Sequence, residues 1–136
     1  MKSQKNRLLG FSLVEVMVVV AIIALVSALA LPNFLRARKR AVAVLIVADM
    51  KALEEAKISY VIQNKLNAGD TVPWEGIRPL LKEGLQLAQH ETPEDRFGNA
   101  IEIGDAKTAP KLSQETVDEL NDVAPQQQHF WAGYAP

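Results

Sequence analysis

From Phe11 to Leu35 the chain reads FSLVEVMVVVAIIALVSALALPNFL, an apolar run that holds a single ionisable side chain, Glu15. As a helix rising 1.5 Å per residue it is roughly 37 Å long, enough to cross a hydrocarbon layer of about 30 Å. Between Val16 and Leu31 the only polar side chain is Ser27, so the run reads as a spanning helix. A conventional secretory signal shares the basic start, but its apolar core covers only about 7–15 residues and ends in a small-residue site. Here the run is longer, and Ser27-Ala28-Leu29-Ala30 offers only a weak site of that kind.

Charge is segregated along the 136 residues. The first ten carry Lys2, Lys5 and Arg7 with no acid, and Arg36, Arg38, Lys39 and Arg40 form a second basic cluster. From residue 41 onward eight Lys and Arg face fifteen Asp and Glu, a net charge of −7. A region of that sign repels phosphate backbones, so no nucleic-acid partner is expected. The chain has no cysteine, which excludes a disulfide framework, Cys-ligated zinc and a thiol nucleophile together. The hundred or so residues after the apolar run suit one small domain, stabilised by packing, a bound ion or neighbouring chains.

Glu15 carries the most information. A carboxylate within a membrane helix is disfavoured by roughly 2.5–3.5 kcal/mol at the bilayer centre, and so tends to mark a partner or a function. The plainer alternative is that it lies near the interface and reaches water. Its neighbours weigh against that alternative. A short basic leader, MKSQKNRLLG, ends in Gly10, and FSLVE then places an aromatic residue, Phe11, four positions before the acid. In these residues the chain resembles the type IV pilin and type II secretion pseudopilin family. Pro32 also falls where members of that family commonly carry a proline in the same helix.

The resemblance implies chemistry performed on this chain. A membrane-embedded prepilin peptidase would cut the Gly10–Phe11 bond, leaving a Phe11 amine that is normally N-methylated. Gly10 suits such a site because a residue without a side chain lets a protease approach the backbone closely. The resemblance further implies a bacterial inner-membrane protein, single-pass, with its N-terminus cytoplasmic and its C-terminal domain periplasmic. Its partners would be copies of itself or related pilins in a filament, the peptidase and methyltransferase, and an inner-membrane assembly platform. In such a filament the ammonium of one Phe11 can meet Glu15 of a neighbouring subunit. Charge distribution does not settle the orientation, because three basic side chains precede the span and four follow it, where the positive-inside rule favours the cytoplasmic side.

The helical pattern continues past the membrane. Leu45 or Ile46, Met50, Leu53, Ala56 and Tyr60 recur at three- or four-residue spacing. Charged residues, Asp49, Lys51, Glu54, Glu55, Lys57 and Lys65, fill most positions between them. Asn67-Ala68-Gly69-Asp70 is a stop signal, so one helix is expected from about 11 to 66. Within it Pro32 removes a hydrogen bond, as a static kink or as a point where the helix adjusts between membrane and filament.

The remainder is expected to be a small globular domain over 68–136. PWEGIRPLLK, residues 73–82, reads as a short helix or two turns divided by Pro79, with Trp74, Ile77, Leu80 and Leu81 in the core. Ala100-Ile101-Glu102-Ile103 alternates like a strand after the Phe97-Gly98-Asn99 turn. Asp95-Arg96-Phe97-Gly98-Asn99 is loosely similar to the Asp-Pro-Trp-Gly type turn of major pseudopilins, with Arg for Pro and Phe for Trp. Some of those relatives bind calcium in a later loop, but no acidic-glycine loop matches here, and no cofactor or metal is expected. Asp118, Glu119 and Asp122 fit a short helix opened by Ser113. The aromatic tail (Phe130, Trp131, Tyr134) either docks back on the domain, the preferred reading, or forms a contact patch for the next subunit.

Catalytic patterns are lacking. His90 and His129 are the only histidines, and His90-Glu91 has no second His one helical turn away, as a zinc motif requires. Glu54-Glu55 and Asp118-Glu119 read as solvated helix faces. The expected fold is α+β and pilin-like: leader 1–10, spanning helix 11–35, periplasmic half-helix 36–67, then short helices with a small antiparallel sheet or hairpin. The expected role is a non-enzymatic structural subunit of a type II secretion pseudopilus or type IV pilus. The alternative is a low-copy minor pilin or a prepilin-anchored binding module that contacts exported substrate.

Overall fold

The computed structural model describes residues 11–124 and 129–136. It divides after Arg36 into two compact units, 1–36 and 37–136. Helix α1 spans Leu13–Asn64, 52 residues, close to the expected 11–66. It ends two residues short of the expected 66, three positions before the Asn67–Asp70 signal. Lys65 adopts the left-handed conformation with φ 53°, and the Leu66 amide donates to the Val61 carbonyl at 3.0 Å, the closure of a Schellman-type cap. The assigned helix runs through Pro32, and the Asn33 side-chain amide donates to the Leu29 carbonyl at 3.3 Å in the adjoining turn.

In the second unit the core forms along one stripe of α1. Ala43, Ile46, Met50, Leu53 and Ala56 are buried, at the three- and four-residue spacing that places side chains on one helix face. Helix α2, Trp74–Ile77, is followed by a 3₁₀ turn over Arg78–Leu80 that contains Pro79. Trp74, Ile77 and Leu81 are buried and Leu80 packs against them, as the sequence predicts. Gly76 has no freedom to be anything larger, because a Cβ there would collide with the Tyr60 ring. Helix α3, Gln114–Glu119, opens at Ser113, whose hydroxyl accepts the Thr116 amide at 3.3 Å. Asp118 and Glu119 lie on it, and Asp122 follows in the next turn.

The small sheet does not materialise as strands among the described residues. Antiparallel pairing is confined to three isolated bridges, Thr71 with Asp105, Glu94 with Ala100 and Glu102 with Lys111. The cause lies in the flanking glycines. Gly98 and Gly104 take φ of 85° and 71° and turn the chain on either side of 100–103, leaving too few residues for a ladder. The alternation itself survives: Ile101 is buried and Glu102 exposed, with Glu102 and Lys111 exchanging two backbone hydrogen bonds of 2.9 and 2.8 Å.

The aromatic tail is docked. Trp131 and Tyr134 are buried, and Phe130 meets Trp131 edge to face with ring centres 5.1 Å apart. The Trp131 indole N–H donates to the Ala124 carbonyl at 3.1 Å, and the Tyr134 hydroxyl donates to Glu54 Oε2 at 2.6 Å. The Leu112 amide donates to the Tyr134 carbonyl at 2.8 Å, which fixes the tail's backbone as well.

Candidate processing and assembly segment

Gly10 lies outside the described residues. Phe11 is 78% exposed and precedes the first turn of α1, and Glu15 sits within that turn. Every residue from 11 to 36 is exposed in the isolated chain. Val16, Met17, Val18, Val19 and Val20 lie on successive positions, so they encircle the helix. A helix that is apolar all round is stable only in lipid or among other apolar helices. By length and composition α1 can cross a membrane.

Glu15 gains something from its place in the first turn, where free amides point toward the N-terminus and the helix dipole favours negative charge. That effect is about 0.3–1 kcal/mol, against roughly 2.5–3.5 kcal/mol for a carboxylate at the centre of a bilayer. The dipole offsets only part of the cost. No described residue forms an ion pair with Glu15, so a deeply buried Glu15 stays ionised only beside a cation from elsewhere.

The globular unit has polar features of its own, which the structure uses as fasteners. Asp49 and Lys57 project from the core-facing stripe of α1 and are buried, only 8% and 3% exposed. Asp49 receives Arg96 in a two-pronged pair, with Nε to Oδ2 at 2.8 Å and Nη2 to Oδ1 at 3.2 Å. Lys57 Nζ donates to the carbonyls of Ile103 and Thr108 at 2.5 and 2.6 Å. Burial pulls its pKa below the usual lysine value, and the nearby charges of Asp105 and Glu54 oppose that shift. Asp105 is held below its ordinary value, chiefly by the Thr108 and Lys107 backbone amides that donate to it.

Asp95 is a third fastener. Its Oδ1 accepts the amides of Phe97 and Asn99 at 2.8 and 2.9 Å, and its Oδ2 accepts the Thr116 hydroxyl. This bracket ties the 95–99 turn to α3. The Tyr134 phenol is raised above its usual pKa, first by burial and then by its bond to Glu54. Glu54 is therefore half-buried and engaged, and only its neighbour Glu55 fits the expected solvated face.

Sequence reasoning placed Asp49 and Lys57 among the charges between core positions. The usable signal was their register. Counting from Ile46, positions 49, 50, 53, 56, 57 and 60 follow one unbroken helical stripe, on which two of the members are charged. Among the described residues, no three His, Asp or Glu side chains gather as a metal site. His90 is half-exposed and His129 exposed.

Comparison with known proteins bears on the N-terminal segment. Residues 5–31 match the prokaryotic N-terminal methylation motif, a stretch that includes Gly10, Phe11 and Glu15. Over 61 residues the chain is 39% identical to the type II secretion system core protein G of Aeromonas hydrophila, covering 45% of this chain and 43% of that protein. Over 55 residues it is 40% identical to the type IV wide pilus major component PilA4 of Thermus thermophilus, covering 40% of this chain and 42% of that one. The chain thus spans less than half the length of the curated relatives it matches. No solved structure matches it. The methylation motif, these two relatives and an N-terminal helix apolar on every side together support a type IV pilin or type II secretion pseudopilin.

Proposed function

We propose that this chain is a structural subunit of a pseudopilus or pilus, processed after Gly10 and assembled through the apolar half of α1. Hydrolysis of the Gly10–Phe11 amide by a prepilin peptidase gives the leader a carboxylate and gives Phe11 a free amine, which a methyltransferase then methylates. The mature helix starts in the inner membrane, with its N-terminus cytoplasmic and the globular unit periplasmic, and leaves the bilayer by packing against copies of itself or related pilins.

The observation that carries this reading is a helix exposed and apolar on all sides, whose one ionisable side chain before Arg36 is an acid four residues after Phe11. In an apolar bundle the Phe11 ammonium of one subunit and the Glu15 carboxylate of the next are each costly alone, so both favour the register in which they meet. The pair thereby sets axial stagger. The test is filament yield from cells expressing Glu15→Leu and Glu15→Gln. Both variants are expected to be cleaved normally, while sheared or overproduced filaments fall at least tenfold. Filaments of normal yield from Glu15→Leu would contradict the proposed role.

A further inference from the structure

Arg36, Arg38, Lys39 and Arg40 follow the apolar run directly, on the side of the span opposite the leader. This is an unfavourable place for cations under the positive-inside rule. The chain itself does little to neutralise them. No acidic residue occurs between Glu15 and Asp49, and all four cations are exposed. Lys39 is engaged with the globular unit, 3.5 Å from Asp122 Oδ1 and 3.4 Å from the Glu119 carbonyl. Among the described residues no acid pairs with Arg36, Arg38 or Arg40.

We infer that Arg36, Arg38 and Arg40 form a cationic collar that binds the phosphate headgroups of anionic lipids at the membrane surface where α1 emerges. Three features favour lipid over an acidic protein partner. The collar starts at the residue after Leu35, the level at which a span of this length meets headgroups. Successive side chains leave a helix about 100° apart, so Arg38 and Arg40, two positions apart, leave it on nearly opposite sides. A ring of lipids surrounds a helix on all sides, whereas a single protein face reaches one. Arginine also offers a planar, permanently charged fork suited to phosphate oxygens. The collar holds the subunit at the surface before assembly, and the anionic leaflet offsets the cost of placing these cations there.

The inference rests on the spanning helix of the proposed function and is independent of filament formation. Its test uses the full-length chain in detergent, titrated with phosphatidylglycerol and phosphatidylcholine, with bound lipid counted by native mass spectrometry. Each basic side chain near an anionic surface contributes about fivefold in affinity. The triple variant Arg36→Gln, Arg38→Gln, Arg40→Gln is therefore expected to lose the preference for phosphatidylglycerol by at least tenfold. The corresponding triple Arg→Lys variant keeps most of it, as does a chain with Lys2→Gln, Lys5→Gln and Arg7→Gln. Added salt weakens the preference, and inorganic phosphate at matching concentration does not displace the lipid.

An unchanged lipid preference in the triple Gln variant overturns the collar. So does equal displacement by inorganic phosphate, or a triple Gln variant that keeps its lipid and loses self-association in neutral detergent, which would assign the arginines to a second copy. Alkaline carbonate extraction of cell membranes separates the two levels. A chain stripped from the membrane overturns the span and the collar together, whereas an inserted chain without the preference overturns the collar alone.

Discussion

Asp49, on the core-facing stripe of the long helix, holds Arg96, in the 95–99 turn, by two hydrogen bonds of 2.8 and 3.2 Å between a buried carboxylate and a half-buried guanidinium. The loose resemblance of residues 95–99 to the Asp-Pro-Trp-Gly type turn of major pseudopilins would set a proline at the position of Arg96. A proline fixes its turn through φ alone. Here the turn is fixed by a side chain that reaches 47 residues back along the sequence to the helix, while Asp95 closes the turn from within.

Arg96→Ala leaves the Asp49 carboxylate buried without its partner, and is expected to destabilise the globular unit by about 2–3 kcal/mol. Asp49→Leu with Arg96→Met removes both charges and should cost less than the single change. Thermal unfolding of the full-length chain in detergent, followed by the fluorescence of Trp74 and Trp131, measures both. Equal stability of Arg96→Ala and the unaltered chain would show that the pair contributes nothing.

Lys57 fastens the 103–108 loop through two carbonyls. Lys57→Met keeps the length of the stem and removes the donor, leaving both acceptors unpaired beside the helix. The expected cost is about 2 kcal/mol, with amide exchange accelerated over 103–108 and little changed in α3. Uniform acceleration across the whole unit would mean that Lys57 supports the global fold instead of this loop.

The same loop should respond to acid. The Lys107 and Thr108 amides each donate to Asp105 Oδ1 at 2.8 Å, and they hold the Asp105 pKa below its ordinary 3.8. A carboxyl depressed in the folded state contributes stability that is complete above the unfolded value and disappears as pH falls through the folded one. Exchange at Lys107 and Thr108 is therefore expected to be slow above pH 4 and to quicken below 3.8. Asp105→Asn should be fast-exchanging across that range, with its acid dependence flattened. A variant with the same pH profile as the parent would assign the transition to another carboxylate.

The long helix was legible in the sequence because hydropathy and helical period agree over fifty residues, and because a left-handed turn follows it closely. Ser113 as the start of α3, the two short turns over 74–80 (with Pro79 inside the second instead of between them) and the docking of Trp131 and Tyr134 followed from capping, proline and aromatic chemistry that acts locally. The strand over 100–103 did not form a ladder, since two-residue alternation registers which face is buried and carries no information about whether a partner strand exists. The buried Asp49, Lys57 and Asp95 were hidden for a related reason. A charge in a helical or turn pattern reads as solvent-facing unless its distant partner is known, and Arg96, Ile103 and Thr116 are each assigned as partners only by the fold. In the membrane segment the relation was reversed: Glu15 was conspicuous in the sequence, whereas an isolated chain holds no neighbour to meet it.

The start of the mature polypeptide tests the central claim most directly. Intact-protein mass spectrometry and terminal sequencing of the chain, purified from cells with a working prepilin peptidase, should give N-methyl-phenylalanine at Phe11 and a mass reduced by the ten leader residues. A polypeptide beginning at Met1, uncut and unmethylated in those cells, would contradict it.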